Sequence, residues 1–159
     1  MRLCDILSVD RILVDGDGSV VKDKATALHL LSQMLSPALG IDQSQVESLL
    51  LERERLQSTG IGDGVAIPHT AVEEAESQAA AVVLCPKGID FESIDGEKVR
   101  IVFGVVGPKR ATGEHLRTLA RISRLLRDVA TREKLVSSPN AVAALELIQS
   151  NDARSEGKT

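Results

Sequence analysis

The side chains able to carry chemistry here are few: three histidines, two cysteines and a spread of arginines and carboxylates. An imidazole with a pKa near 6.5 is mostly neutral at pH 7, so one ring nitrogen offers a lone pair while the other holds a hydrogen. His69 follows a glycine-rich loop, the short apolar run Val65-Ala66-Ile67 and Pro68, a sequence that places it at a strand exit. Strand exits are where α/β sheets gather ligands and reacting groups. On position alone, a surface-loop histidine still accounts for it better. His115 falls in the first turn of a long helical pattern, behind Gly113 and Glu114. Helix starts present free N–H groups and a positive dipole end, which attract anions. Taken singly, His115 reads as structural, and so does His29, in mid-helix beside Leu28.

The remaining candidates carry less. Asp15-Gly16-Asp17-Gly18-Ser19 opens like a calcium loop but fails at the sixth position, Val20, and at the twelfth, Thr26. Gly60-x-Gly62-x-Gly64 has neither dinucleotide nor Walker spacing. Its glycines could aim amide N–H groups at an anion or simply form a tight turn, and spacing does not decide between them. Arg117, Arg124 and Arg127, with Arg121 between them, read as a solvated basic face of one helix, or as a dock for an acidic partner. Cys4 and Cys85 lack CxxC spacing, which leaves them as free thiols in a reducing compartment. Without HExxH or HxH spacing, no metal site is expected.

Alternating strand and helix patterns must position these residues. Ile12-Leu13-Val14 is a short strand ending in turn chemistry. A helix starts after Asp23 as N-cap, with Leu28, Leu31 and Leu35 on one face, and Pro37 and Gly40 are expected to end it. A second helix is expected from the capping box Ser44-x-x-Glu47 to near Gln57. Ala79 to Leu84 reads as a strand buried on both faces, Gly88 to Phe91 as a short extended piece, and Val99 to Val106 as the longest strand. Leu116, Leu119, Ile122 and Leu126 mark the long helix. Shorter ones follow at Arg132 to Val136 and at Pro139 to Ile148, the latter with Ser138 as cap. Together these predict one α/β sandwich over residues 3–150, with a mixed parallel and antiparallel sheet of four or five strands and helices on both faces. Residues 151–159 read as a disordered polar tail.

Composition narrows the partners. Trp and Tyr are absent and Phe numbers two, so the core is aliphatic and the stacking platforms of single-strand nucleic-acid binders are missing. A net charge of -4 argues further against a phosphate-backbone ligand. No apolar run reaches the ~20 residues of a membrane span, and Met1-Arg2-Leu3-Cys4-Asp5 does not open a signal peptide. The expectation is a cytoplasmic protein with no nucleic-acid partner and no membrane insertion.

The run Arg53-Glu54-Arg55-Leu56-Gln57-Ser58-Thr59-Gly60-Ile61-Gly62-Asp63-Gly64-Val65-Ala66-Ile67-Pro68-His69 resembles the signature of enzyme IIA of the phosphoenolpyruvate phosphotransferase system, fructose/mannitol class. Leu3-x-Asp5-Ile6-Leu7, Gly88-Ile89-x-Phe91, Val102-Phe103 and His115-Leu116-x-x-Leu119 extend the likeness over all but the last ten or so residues, most closely to the nitrogen-regulatory branch. Thr70 stands where many members carry glycine or another small residue, a mild departure. The resemblance implies that His69 accepts a phosphoryl group from an HPr-type histidine phosphocarrier, as a tele-phosphohistidine. It implies that His115 and Arg53 complete the site, with Thr59 as a further phosphate-binding residue. It implies no cofactor and the same α/β fold. A phosphoramidate donor needs no magnesium, and the transfer is an in-line displacement with charge on three equatorial oxygens. Arg53 could meet two of those with its fork, and His115 another. Two roles share this chemistry: a regulatory switch read by other proteins, and a sugar-uptake component passing phosphate to a IIB domain. The opening residues, the wording of the loop and the lack of attached IIB or IIC segments favour the first. An interaction module that is never phosphorylated is a third reading.

Overall fold

The structure is a computed structural model that describes residues 1–156. In chain order it contains β1 (Ile12–Val14), α1 (Lys24–Leu39), α2 (Gln43–Leu56), β2 (Gly60–Gly62), β3 (Val65–Ala66), β4 (His69–Val72), β5 (Ala79–Ile89), β6 (Val99–Pro108), α3 (Thr112–Arg127), α4 (Val129–Val136) and α5 (Ala141–Glu156). The two longest apolar runs, β5 and β6, pair antiparallel at the centre. β1 adds parallel to β5, β3 and β4 add parallel to β6, and β2 closes the far edge antiparallel to β3.

Because successive strand residues point to opposite faces, each central strand feeds two cores. Ala81, Val83, Val102 and Val106 meet Leu28, Leu31 and Leu35 of α1 and Val46 and Leu50 of α2. Val82, Leu84, Ile101 and Phe103 meet Ile122 and Leu126 of α3, Leu135 of α4 and Ile148 of α5. Helices therefore cover both faces of a mixed sheet, as the sequence predicts. A Cβ on Gly104 would lie 3.0 Å from Leu31 Cδ1, so the missing side chain lets α1 settle onto β6.

Six strands form where four or five were expected, because Pro68 splits one lane of the sheet. Pro68 has no N–H to donate, and pairing with β6 breaks after Ala66 and resumes at His69 opposite Val105. Its carbonyl still accepts from Val105 N at 3.0 Å. His69 therefore follows the exit of β3 but opens β4, its backbone held in the sheet beside the interior of β6.

Several expected ends moved. Pro37 lies inside α1, in its last turn, and the helix stops at Gly40 in the left-handed conformation, φ 67°. The cap of α2 is Asp42, whose side chain accepts from Ser44 N at 3.2 Å, two residues ahead of the expected Ser44. α5 is capped by Asn140, which accepts from Ala143 N at 2.9 Å, in place of Ser138. β5 runs on through a register shift after Leu84 to Ile89, absorbing the start of the piece expected at Gly88 to Phe91. The expected disordered tail is helical through Glu156, while 157–159 lie outside the described residues. The reason is Asp152, 1% exposed, which accepts from Leu3 N at 2.9 Å and from Arg121 Nε at 2.5 Å. That pair also turns Arg121 inward, out of the arginine row.

Candidate active site

His69 Nδ1–H donates to the Ile67 carbonyl at 2.6 Å. The broken strand makes this possible: Ile67 pairs with no residue of β6, so the carbonyl two residues back is available to the ring. With its hydrogen on Nδ1, the neutral ring carries its lone pair on Nε2. The His115 ring faces it, centroids 5.8 Å apart and planes tilted by 47°. His115 reaches this position from the first turn of α3, whose start has no side-chain cap. Burial, and then the neighbouring His69, pushes the His115 pKa below the ordinary histidine value, so it is neutral at pH 7.

A cleft of about 290 Å³ opens beside His69, lined among others by Arg53, Thr59, Gly60, Leu119 and Ser123. Arg53 stands in the last turn of α2 and donates from Nη1 to the Gln57 carbonyl at 3.0 Å, which fixes the guanidinium at the rim. Arg55 is exposed and lines no part of the cleft. The structure thus brings His69 and Arg53 to one cleft and sets the His115 ring against His69.

Thr59 is a correction. It is buried, its N–H donates to both Glu54 oxygens at 3.0 and 3.1 Å, and its hydroxyl donates to Glu54 Oε2 at 2.6 Å. Both of its donors are committed to Glu54, so Thr59 holds the loop instead of offering hydrogens to a phosphate. The glycine segment resolves as a turn: Asp63 and Gly64, φ 57° and 76°, are the two loop residues of the β2–β3 hairpin, both left-handed. His29 pairs with Glu47 at 2.9 Å on the exposed side of α1, as a structural histidine would. Cys85 is buried with its thiol pushed up to about 12, which leaves it inert. Among the described residues no group of three His, Cys, Asp or Glu side chains gathers to hold a metal ion. None of the described helices is long and apolar enough to cross a membrane.

The family described as "Phosphoenolpyruvate-dependent sugar phosphotransferase system, EIIA 2" matches residues 6–151. The chain belongs to this family. The EIIA chain is 36% identical over 148 residues to a nitrogen regulatory protein of Bradyrhizobium diazoefficiens, covering 93% of this chain and 95% of that one. It is 29% identical over 153 residues to the fructose-specific EIIABC component of Bacillus subtilis, covering 96% of this chain but 24% of that one. The crystal structure of the nitrogen regulatory protein IIA-Ntr from Neisseria meningitidis superposes with a TM-score of 0.83 at 28% identity, over 91% of this chain and 97% of that one. Proteins of this family are phosphoryl-transfer components.

Two EIIA residues escaped sequence reasoning. Glu54 is 7% exposed and ties three elements together, since Lys24 Nζ at the start of α1 lies 2.8 Å from Oε1 while Thr59 fills the rest of the carboxylate. A glutamate between two arginines in a last helical turn looks like any surface charge. Gln78, before β5, is buried against α3 and was equally silent. Glu54→Ala is expected to cost about 3 kcal/mol in a denaturant titration, because it strands the buried Thr59 donors and leaves a largely buried Lys24 with only the longer contact to Glu92, at 3.8 Å. An unchanged unfolding midpoint would show that the loop is held by something else.

Proposed function

We propose that His69 takes a phosphoryl group at Nε2 from the phosphohistidine of an HPr-type carrier, and that the protein acts in the cytoplasm as a nitrogen-regulatory IIA switch. The observation that carries this is the 2.6 Å bond from His69 Nδ1–H to the Ile67 carbonyl, which leaves the lone pair on Nε2 of a ring that lines the cleft. In the transfer, that lone pair forms a bond to phosphorus as the nitrogen–phosphorus bond of the donor breaks. The electron pair of the broken bond returns to the donor imidazole. The His69 ring becomes positive as it is phosphorylated, and the Ile67 carbonyl accepts from the hydrogen that carries this charge. Arg53 and His115 meet the equatorial oxygens. Ile61, Ile94 and Leu116, 55%, 77% and 60% exposed, make an apolar rim around the site, a surface suited to a protein partner.

The higher identity to the Bradyrhizobium nitrogen regulatory protein and the IIA-Ntr superposition favour the regulatory role. The likeness to the fructose-specific component supports the other one, transfer to a IIB domain. Incubation with phosphoenolpyruvate, enzyme I and the carrier should add the mass of one phosphate, lost in acid. Chasing the labelled protein with sugar-specific IIB domains should leave the label in place. Rapid loss of label to a IIB domain would assign it to sugar uptake, and no mass gain at all would make it an interaction module.

Arg53 and Arg55 provide an internal control. Residues two apart on a helix point in different directions, about 200° around the axis, and only Arg53 reaches the cleft. Arg53→Lys keeps the charge and loses the planar fork. A hydrogen bond to a charged group is worth about 1.5–3 kcal/mol, so single-turnover transfer should slow by ~10- to 100-fold. Arg55→Lys should stay at the wild-type rate. Equal rates for both variants would remove Arg53 from the transition state.

A further inference from the structure

Among the described residues, Gln78 Nε2 and His115 Nδ1 are both buried side-chain atoms with no hydrogen-bond partner. One is a donor with two hydrogens, and the other is a ring nitrogen able to accept. Leaving either unpaired in the interior is costly, and a single bond between them satisfies both. They are neighbours. Gln78 lies just before β5, whose first residue Ala79 pairs with Val106, so it sits across from Gly107. A Cβ on Gly107 would lie 3.1 Å from Gln78 Cβ and 3.6 Å from His115 Nδ1, which puts the ring nitrogen within the span of the glutamine side chain. The missing side chain of Gly107 is what lets the two approach.

We propose that Gln78 is a positioning residue that sets the tautomer of His115, its amide N–H donating to Nδ1 so that Nε2 carries the hydrogen. Thr118 directs the amide. It stands three residues after His115 on the same face of α3, and its hydroxyl donates to Gln78 Oε1 at 3.0 Å. That contact takes up the amide oxygen and leaves the NH₂ for His115. Thr118 Oγ1 also lies 3.1 Å from the Glu114 carbonyl, yet it has a single hydrogen to give. Were the hydrogen given to Glu114, the amide would turn over to donate to Thr118. Its oxygen would then face the ring and call for the Nδ1–H tautomer. Only the first arrangement leaves an Nε2–H to donate to a phosphoryl oxygen, and that consequence rests on His69 being the acceptor.

Long-range proton–nitrogen NMR of the unphosphorylated protein, at a pH where His115 is neutral, reads the tautomer directly. Wild type should show His115 with Nε2 protonated, Gln78→Leu a mixture of tautomers, and Gln78→Glu, whose carboxylate only accepts, the Nδ1–H form. With the phosphocarrier as donor, Gln78→Leu should transfer about 10- to 100-fold more slowly, the usual scale for losing the partner that orients a functional histidine. The His69 tautomer should stay Nδ1–H in every variant, and the backbone amide spectrum away from the site should not move, which certifies the fold. Should Gln78→Leu fail to fold, the Gln78→Glu spectrum carries the test. An Nδ1–H tautomer in wild type, or the same tautomer in every variant, overturns the proposal even if the rate falls. A wild-type protein that never takes phosphate would overturn the reading of His69 while leaving the tautomer result standing.

Discussion

His69→Ala should abolish phosphate uptake while leaving the protein folded. The expected loss is total, because no other described side chain pairs a free imidazole lone pair with the Arg53 cleft: His29 is bound to Glu47 on α1, and His115 has its Nδ1 buried. The fold survives because the His69 ring is only partly buried and its backbone pairing with Val105 does not depend on the side chain. What goes is one hydrogen bond to the Ile67 carbonyl, worth about 1 kcal/mol. Intact-mass measurement after incubation with enzyme I, carrier and phosphoenolpyruvate, with a thermal melt alongside, checks both halves. Retention of an acid-labile phosphate in His69→Ala would place the acceptor elsewhere. A collapsed melting temperature would mean that the ring supports the split strand more than its single bond indicates.

What the sequence revealed followed from periodicity and from contiguous motif. β5 and β6 are read easily because their burial on both faces leaves unbroken apolar runs; for His69, Pro68 and the Asp63-Gly64 turn mark a strand exit, and the contiguous family motif supplied its role. Arg53 and His115 also came through the resemblance, and the fold brings Arg53 to the cleft that His69 lines and the His115 ring to 5.8 Å from that of His69. The errors lie where one polar side chain outweighs local composition. Asp152 makes helix of a stretch that reads as tail, since its two bonds reach Leu3 and Arg121 at distant points of the chain. The resemblance implies Thr59 as a phosphate-binding residue, whereas in the structure its donors go to Glu54, in the last turn of α2. Gln78 meets Thr118 across 40 residues of sequence, a pairing with no local signature. Such contacts are set by tertiary structure alone.

The second large effect is expected at His115. Its pKa is pushed down by burial and by His69, so it is neutral at pH 7, and in the proposed transfer it would meet the phosphoryl group as a neutral N–H donor. With the rings 5.8 Å apart, a phosphoryl group on His69 Nε2 comes within reach of that hydrogen. Losing one preorganised donor of this kind slows a reaction by about 10²–10³, so His115→Ala should transfer at that reduced rate while still accepting a full phosphate at long times. His115→Gln, which can present an amide N–H, should recover part of the loss; a purely structural role would give both variants wild-type rates. The charge argument adds a second readout. The phosphoryl dianion arriving on His69 outweighs the positive charge its ring gains and opposes the burial effect, so phosphorylation should raise the His115 pKa from its depressed position, visible as a shift in its NMR titration. Stability should follow the same group. The folded pKa lies below the unfolded one, so the contribution of neutral His115 is complete above the ordinary histidine pKa and drains away as the pH falls through the folded value. His115→Ala lacks that loss, and its denaturant midpoint should depend less on pH across the acid limb than that of wild type. A wild-type titration in which phosphorylation lowers the His115 pKa, or leaves it in place, would mean that the ring does not meet the phosphoryl group.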